Sequence, residues 1–284
     1  MKLTDISTIR QLFEKHGFSF TKSLGQNFLI NPTVCPKIAE MGGAGKNVGA
    51  IEIGTGIGVL TRELAERCEK VVAIEIDTGL KPILDETLEE YDNVEVIFAD
   101  VMETDLNKLI AEKFPDMDVI VCANLPYYIT SPVIMKLLEE KLPIKAITVM
   151  VQLEAADRIC AAVGSRECGA ITASINYYAK PKKLFRVNRG SFMPAPNVDS
   201  AVISLERYEQ PLDNEPLFFE VIKQAFAQRR KQLANPVSAY FKIPKAVLAE
   251  KMTEGGIPAT ARAEQLTMSE LVKLYEIINE LKFG

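Results

Sequence analysis

Between about residue 48 and residue 151, short apolar runs alternate with longer stretches whose apolar residues recur at helical spacing. The first run is Val48-Gly49-Ala50-Ile51-Glu52-Ile53, followed by the turn Gly54-Thr55-Gly56-Ile57-Gly58 and a helical pattern over 59–68. Lys70-Val71-Val72-Ala73-Ile74-Glu75 reads as a second strand, 79–90 as a helix and 93–98 as a third strand. A helix over 106–113, a fourth strand over 118–122, a helix to about residue 140 and a fifth strand over 146–151 complete the series. Strands alternating with helices at this spacing predict an α/β fold built on a doubly wound, mostly parallel sheet. Such sheets bind ligands beyond the C-terminal ends of their strands.

Past residue 185 the pattern changes. Phe185-Arg186-Val187, the proline-punctuated link Ser191-Phe192-Met193-Pro194-Ala195-Pro196 and the β-like Ser200-Ala201-Val202-Ile203-Ser204-Leu205 predict an antiparallel hairpin that closes the sheet. Beyond 211 no strand pattern recurs, and 218–233, 245–252 and 268–281 are helical by periodicity, separated by Pro244 and by Gly255-Gly256. The expected organisation is a catalytic domain over 1–210 and a small helical domain over 211–284.

Composition narrows the class. With 284 residues, 48% hydrophobic and 25% charged, the chain has enough apolar side chains for a sizeable core and resembles neither a disordered nor a membrane protein. No run approaches the roughly 20 apolar residues needed to span a bilayer. The first 17 residues carry charges where a signal peptide needs an apolar stretch, so a cytoplasmic location is expected. Five cysteines, at 35, 68, 122, 160 and 168, are odd in number and never spaced CxxC, which points away from a disulfide framework or a thiolate zinc site. The single histidine, His16, lies in Glu-Lys-His-Gly and reads as a solvated helix end, so no histidine-centred triad is available.

A net charge of -5 argues at first against a nucleic-acid partner. Residues 51–120, however, hold 18 acidic and 6 basic side chains, a block of -12 that leaves +7 for the rest of the chain.

The candidate chemistry lies at the strand ends. In Gly54-Thr55-Gly56-Ile57-Gly58 the position where a dinucleotide fingerprint needs its third glycine is Val59, which favours a cofactor without a pyrophosphate. Glu75 ends the second strand about 20 residues on, where a carboxylate can accept both ribose hydroxyls. Asp100 follows the third strand and can accept from an adenine amino group. Together these predict an adenosine-containing cofactor, S-adenosyl-L-methionine, with no metal.

Asn124-Leu125-Pro126-Tyr127 follows the fourth strand and suits methylation of an exocyclic adenine amine. The lone pair of that amine is delocalised into the ring. Two acceptors, the Asn124 side-chain oxygen and the Leu125 carbonyl directed by Pro126, favour the pyramidal, nucleophilic form. Tyr127 offers a face on which a flipped-out base can stack.

At these residues the sequence closely resembles the ribosomal RNA adenine dimethyltransferase family, and within it the bacterial small-subunit branch. The resemblance covers nearly the whole chain. It includes Leu24-Gly25-Gln26-Asn27-Phe28-Leu29, Glu52-Ile53-Gly54-Thr55-Gly56-Ile57-Gly58-Val59-Leu60-Thr61, Ala123-Asn124-Leu125-Pro126-Tyr127-Tyr128-Ile129, 191–202, Ala225-Phe226-Ala227-Gln228-Arg229-Arg230-Lys231 and Arg262-Ala263-Glu264-Gln265-Leu266. It implies a Rossmann-like class I S-adenosylmethionine-dependent methyltransferase in which 1–47 covers the cofactor. The cofactor would be bound by Asn27, Leu29, Gly54, Gly56, Glu75, Asp100 and Asn124, and Phe192 would face Tyr127 across the target base. The implied reaction is N6,N6-dimethylation of two adjacent adenosines in the hairpin loop near the 3′ end of 16S rRNA, with a role in small-subunit biogenesis. Thr55 stands where the family usually has proline, and Leu153 where it usually has lysine or arginine.

Basic residues outside the acidic block are the expected RNA contacts: Lys22, then Lys180, Lys182 and Lys183, Arg186 and Arg189 in the hairpin, and Arg229, Arg230 and Lys231 on the helical domain. The expected partner is the small ribosomal subunit, met by a monomer without membrane attachment. Two other readings stay open: a large-subunit rRNA relative, against which Gln228-Arg229-Arg230-Lys231 and Arg262-Ala263-Glu264 weigh, and a binding factor that monitors subunit assembly.

Overall fold

The chain enters through helix α1 (Ile6–His16), the two-residue strand β1 (Phe28–Leu29) and helix α2 (Val34–Met41) in a computed structural model that describes residues 1–20, 25–208, 212–228 and 230–283. Asp5 caps α1 by accepting from the Thr8 N–H at 3.0 Å, and Gly17 ends it at φ +63°. Ile9, Leu12 and Phe13 form its buried stripe, each contributing about 1.5–3 kcal/mol by burial. His16 is indeed a helix end, but it is not solvated: its Nε2 lies 2.6 Å from Glu86 Oε2, which also accepts from Lys15 at 2.8 Å.

The alternating region then lays down β2 (Val48–Ile53), α3 (Val59–Ala65), β3 (Lys70–Glu75), α4 (Lys81–Thr87), β4 (Val94–Phe98), α5 (Leu106–Lys113), β5 (Asp118–Asn124), α6 (Thr130–Glu139) and β6 (Ile144–Gln152). After α7 (Leu153–Ile159) and α8 (Ala170–Tyr178) come β7 (Ala179–Val187), the short β8 (Phe192–Met193) and β9 (Ser200–Arg207). The seven-stranded sheet has the order β4-β3-β2-β5-β6-β9-β7. β4, β3, β2, β5 and β6 are mutually parallel and β9 runs antiparallel to β6. The strand order reverses between β2 and β5, so the ends of these two strands flank the crevice where such sheets take ligands.

The inner strands are continuous apolar runs because both faces are covered. On one face Ala50, Ile120, Cys122, Met150 and Val202 pack with Val34, Cys35 and Ile38 of α2 and Leu60 and Leu64 of α3. A second cluster joins Ile9, Leu12 and Phe13 of α1 to Ile83 and Leu84 of α4, with Phe28 and Ile57. The five cysteines are free thiols, four of them buried. Among the described residues no helix is long and apolar enough to cross a membrane.

Two compact units result, residues 1–156 with 181–207, and residues 157–180 with 208–284. This corrects the expected partition. The segment 157–180, assigned from the sequence to the first domain, belongs with the helices because Tyr177 is fully buried there, 4.7 Å from Phe218 ring to ring, and Tyr178 stacks on Phe219 at 5.3 Å. The boundary expected at 211 falls on residues 209–211, outside the described ones.

The second unit carries α9 (Glu215–Phe226), α10 (Ala234–Phe241), α11 (Lys245–Glu254) and α12 (Met268–Phe283). The helix expected over 218–233 ends early, at Phe226, and α10, which begins at Ala234, lies wholly beyond the expected element.

Candidate functional site

The C-terminal ends of β2, β3, β4 and β5 open onto one cleft of ≈ 340 Å3 in the first unit. It is lined by Asn27, Leu29, Gly54, Gly56, Glu75, Asp100, Asn124, Leu125, Pro126, Tyr127 and Phe192, the entire set singled out for cofactor and chemistry. The turn after β2 needs its glycines: Gly54, Gly56 and Gly58 have φ of +78°, +58° and +88°. A Cβ at Gly54 would stand 3.6 Å from the Asn124 carbonyl oxygen, so this turn runs directly beside the Asn-Leu-Pro-Tyr segment.

Glu75 ends β3 and is buried. Its Oε2 accepts from the Gly56 N–H and its Oε1 from the Asp77 N–H, both at 2.9 Å, which leaves each oxygen a further lone pair. Burial raises its pKa above the usual carboxylate value, and the two N–H donors oppose that rise. Gln26 donates to Asp77 at 2.6 Å and so ties the N-terminal segment beside Glu75. Asp100 Oδ1 accepts from the Met102 N–H at 2.8 Å.

Asn124 is the last residue of β5, in register with Met150 of β6, and the Leu125 N–H donates to the Met150 carbonyl at 3.2 Å. The Pro126 carbonyl accepts from the Ile129 N–H at 3.2 Å and turns the chain into α6. Among the described residues the Asn124 side-chain amide has no hydrogen-bond partner. The Tyr127 hydroxyl lies 3.1 Å from Ser200 Oγ, and burial raises the phenol pKa.

One pairing has no signature in the sequence. β1 and β8 form a two-stranded antiparallel sheet in which Leu29 is the partner of Phe192 and Phe28 of Met193. Ile30 also donates its N–H to the Ser191 carbonyl at 2.8 Å. The N-terminal segment is thereby fastened to the strand that carries Phe192.

A second residue of the cleft was passed over in the sequence. Glu52 sits in the apolar run Ile51-Glu52-Ile53, and its strand position places it on the same face as Ala50, against α2 and α3. A charge inside an all-apolar central strand is the signal that could have found it. Glu52 is 1% exposed, its Oε2 has no hydrogen-bond partner among the described residues, and burial pushes its pKa up to about 8, with the Thr61 hydroxyl acting in the other direction. Thr55, at the family's proline position, is also buried, and its hydroxyl has no partner among the described residues.

Glu52 makes a pH-dependence testable. Unfolded, it loses its proton near its ordinary 4.5; folded, it holds it to about 8. The folded state binds more protons in that window, so stability must fall as pH rises through it, by about 3 kcal/mol between pH 4.5 and 7. Glu52→Gln is expected to flatten this slope in denaturant unfolding of the unliganded protein at pH 5 and pH 7. Equal slopes in the two proteins would refute the assignment.

The basic residues divide. Lys22 and Arg229 lie outside the described residues. Lys180, Lys182 and Lys183 are exposed on β7, and Arg230 and Lys231 are exposed in the segment after α9. Arg186 and Arg189 are exposed but turned to internal work: Arg186 donates to Asp199 through Nε at 2.9 Å and through Nη2, while Arg189 donates its backbone N–H to Asp199 at 2.9 Å and Nη1 to the Asn197 carbonyl at 3.4 Å. Leu153 begins α7, its N–H donating to the Asp199 carbonyl at 2.9 Å.

Comparison with known proteins adds to this geometry. A family model described as ribosomal RNA adenine dimethylase matches residues 17–280. The chain is 45% identical over 280 residues to the ribosomal RNA small subunit methyltransferase A of Geobacillus sp. (strain WCH70), covering 95% of this chain and 96% of that one. It is 47% identical over 282 residues to the protein of the same name from Bacillus mycoides (strain KBAB4), covering 96% and 97%. Among solved structures, a dimethyladenosine transferase from Plasmodium falciparum superposes with a TM-score of 0.76 at 28% identity, covering 89% of this chain and 98% of that one. The 23S rRNA methyltransferase ErmE superposes with a TM-score of 0.67 at 26% identity, covering 89% and 100%. The fold is that of the class I S-adenosylmethionine-dependent methyltransferases. With strand-end acids and an Asn-Leu-Pro-Tyr turn meeting in one cleft, and a family model that matches residues 17–280 of the 284, the chain belongs to the ribosomal RNA adenine dimethylase family.

Proposed function

We propose that this rRNA adenine dimethyltransferase converts two adjacent adenosines in the hairpin loop near the 3′ end of small-subunit rRNA to N6,N6-dimethyladenosine during small-subunit biogenesis. The observation that carries the reading is Asn124-Leu125-Pro126-Tyr127 closing β5 in the same cleft as Glu75, Asp100 and Phe192. The small-subunit methyltransferases that match the chain end to end support the choice of subunit.

The residues present fit S-adenosylmethionine. Glu75 keeps one lone pair on each oxygen for two ribose hydroxyls, and Asp100 keeps Oδ2 for an amino donor. Glu52 Oε2 and the Thr55 hydroxyl are buried polar atoms without a partner among the described residues, on residues that line the cleft, and a cationic, hydrogen-bonding ligand would satisfy them. When bound, the cofactor supplies an electrophilic methyl group.

The chain's own part is positioning. Asn124 Oδ1 and the Leu125 carbonyl accept the two N6 hydrogens and draw the amine lone pair out of conjugation. The carbonyl is held because the Leu125 N–H is anchored on β6 and Pro126 restricts the next φ. Tyr127 and Phe192 take the two faces of the flipped base. Once methylated, the cationic amine releases its proton to water, so no side chain needs to act as general base.

The test is transfer of tritiated methyl groups to small subunits that lack the modification, followed by nuclease digestion. Label in dimethyladenosine supports the reading; label only in monomethyladenosine, or transfer to large subunits instead, overturns it.

RNA contact is expected from exposed cations. Arg230→Glu with Lys231→Glu should weaken small-subunit binding about tenfold or more and lower the slope of log K against log salt by about 1–2, with cofactor affinity unchanged. An unaltered salt slope would remove these residues from the interface.

A further inference from the structure

We infer that Ser200 is a positioning residue for Tyr127, its hydroxyl fixing the aromatic ring before the target base arrives. The inference rests on the reading of Tyr127 as the stacking surface.

Tyr127 is held at both ends. Its backbone belongs to the turn whose Pro126 carbonyl accepts from Ile129, and its phenol meets Ser200 Oγ at 3.1 Å. The phenolic oxygen lies on the axis of ring rotation, so this contact limits the swing about χ1. Because the O–H bond and the lone-pair density of a phenolic oxygen both lie close to the ring plane, the hydrogen bond also restricts rotation of the ring itself, whichever oxygen donates. The contact has a second effect: with its hydroxyl engaged by protein, Tyr127 presents a face to the base and leaves the base edge to Asn124 and Leu125.

The anchor is itself immobile. Ser200 is fully buried, opens β9 and stands in register with Gln152 of β6. The residue before it, Asp199, accepts from Arg186 and from the Arg189 N–H, and its carbonyl accepts from the Leu153 N–H at 2.9 Å. The Arg189 N–H and the Arg186 guanidinium hold the Asp199 carboxyl below the usual carboxylate range, so it stays ionised at neutral pH. Arg186 and Arg189, expected from the sequence as phosphate contacts, thus brace the strand that carries the Tyr127 anchor. A ring ordered in the free protein need not be ordered by the substrate, which conserves binding energy for the transition state.

The experiment compares the full chain as wild type, Ser200→Ala, Tyr127→Phe, the double variant and Ser200→Thr. Each is measured for kcat and KM on unmodified small subunits, cofactor Kd and melting temperature. Each single variant is expected to lower kcat about fivefold to tenfold, the rate equivalent of one neutral hydrogen bond, with cofactor Kd unchanged. The double variant should lose no more than either single, and Ser200→Thr, which keeps the hydroxyl, should stay within about twofold of wild type. A kcat for Ser200→Ala within about twofold of wild type, or losses that multiply in the double variant, would overturn the inference. Where Ser200→Ala melts early, Tyr127→Phe decides: a kcat loss at the wild-type melting temperature supports the tether and an unchanged kcat sinks it. Wild-type enzyme that transfers no methyl to small subunits would sink the proposed function instead, so the two failures are distinguishable.

Discussion

Asn124→Ala is expected to lower the single-turnover rate of methyl transfer to small subunits by about 10²–10³-fold, the usual effect of deleting one preorganised polar group that acts on developing charge. The change should leave the fold intact. The Asn124 side chain has no hydrogen-bond partner among the described residues, so truncation orphans nothing, and its pairing with Met150 of β6 is through the backbone. Small-subunit binding should persist, which separates an enzyme from a factor whose main role is to bind the subunit. Asn124→Asp keeps an acceptor and should retain more activity than alanine. A loss under about tenfold for Asn124→Ala would show that the Asn124 oxygen does not act on the amine.

Gly49→Val is expected to destabilise the first unit by about 4 kcal/mol or more, at the upper end of single-substitution effects. Gly49 lies in β2, paired on one side with Lys70 of β3 and on the other with Val119 of β5, so its backbone cannot retreat. A Cβ there would stand 2.2 Å from Phe114 Cδ1 and 2.7 Å from Cε1, and Phe114 is buried at the end of α5. Local preference predicts the opposite sign, since valine is favoured over glycine within a strand. The measurement therefore isolates the tertiary contact. Thermal or denaturant unfolding of Gly49→Val should show the loss, and Phe114→Ala in the same chain should recover part of it, because the two sites share one space. A wild-type melting temperature for Gly49→Val would refute the contact.

The Gly49 case marks the boundary of what is legible from sequence. The strand–helix alternation, the glycine turn after β2 and the acids after β3 and β4 are visible in a single chain. Each is enforced locally: strands buried on both faces must be apolar throughout, a positive-φ turn must be glycine, and a carboxylate just past a strand end faces the ligand side of a parallel sheet. The same local logic failed over 218–233, where the hydrophobic periodicity runs on past Phe226, the end of α9. It also failed for 157–180, whose own pattern says nothing about which partner buries Tyr177.

The sequence by itself determined the architecture and most of the cleft: the order of strands and helices, the turn at Gly54, Gly56 and Gly58, the acids Glu75 and Asp100 and the Asn-Leu-Pro-Tyr segment. These rest on backbone geometry and burial, which write short-range patterns into the chain. Only the tertiary structure decided the pairing of Leu29 with Phe192, the burial of Glu52 beside Thr61, the 3.1 Å contact of Tyr127 with Ser200 and the turning of Arg186 onto Asp199. Each joins positions that no repeat relates, 73 residues apart for Tyr127 and Ser200. What fixes them is the register of two-residue strands and the packing of one sheet face, and neither has a period that a sequence can display.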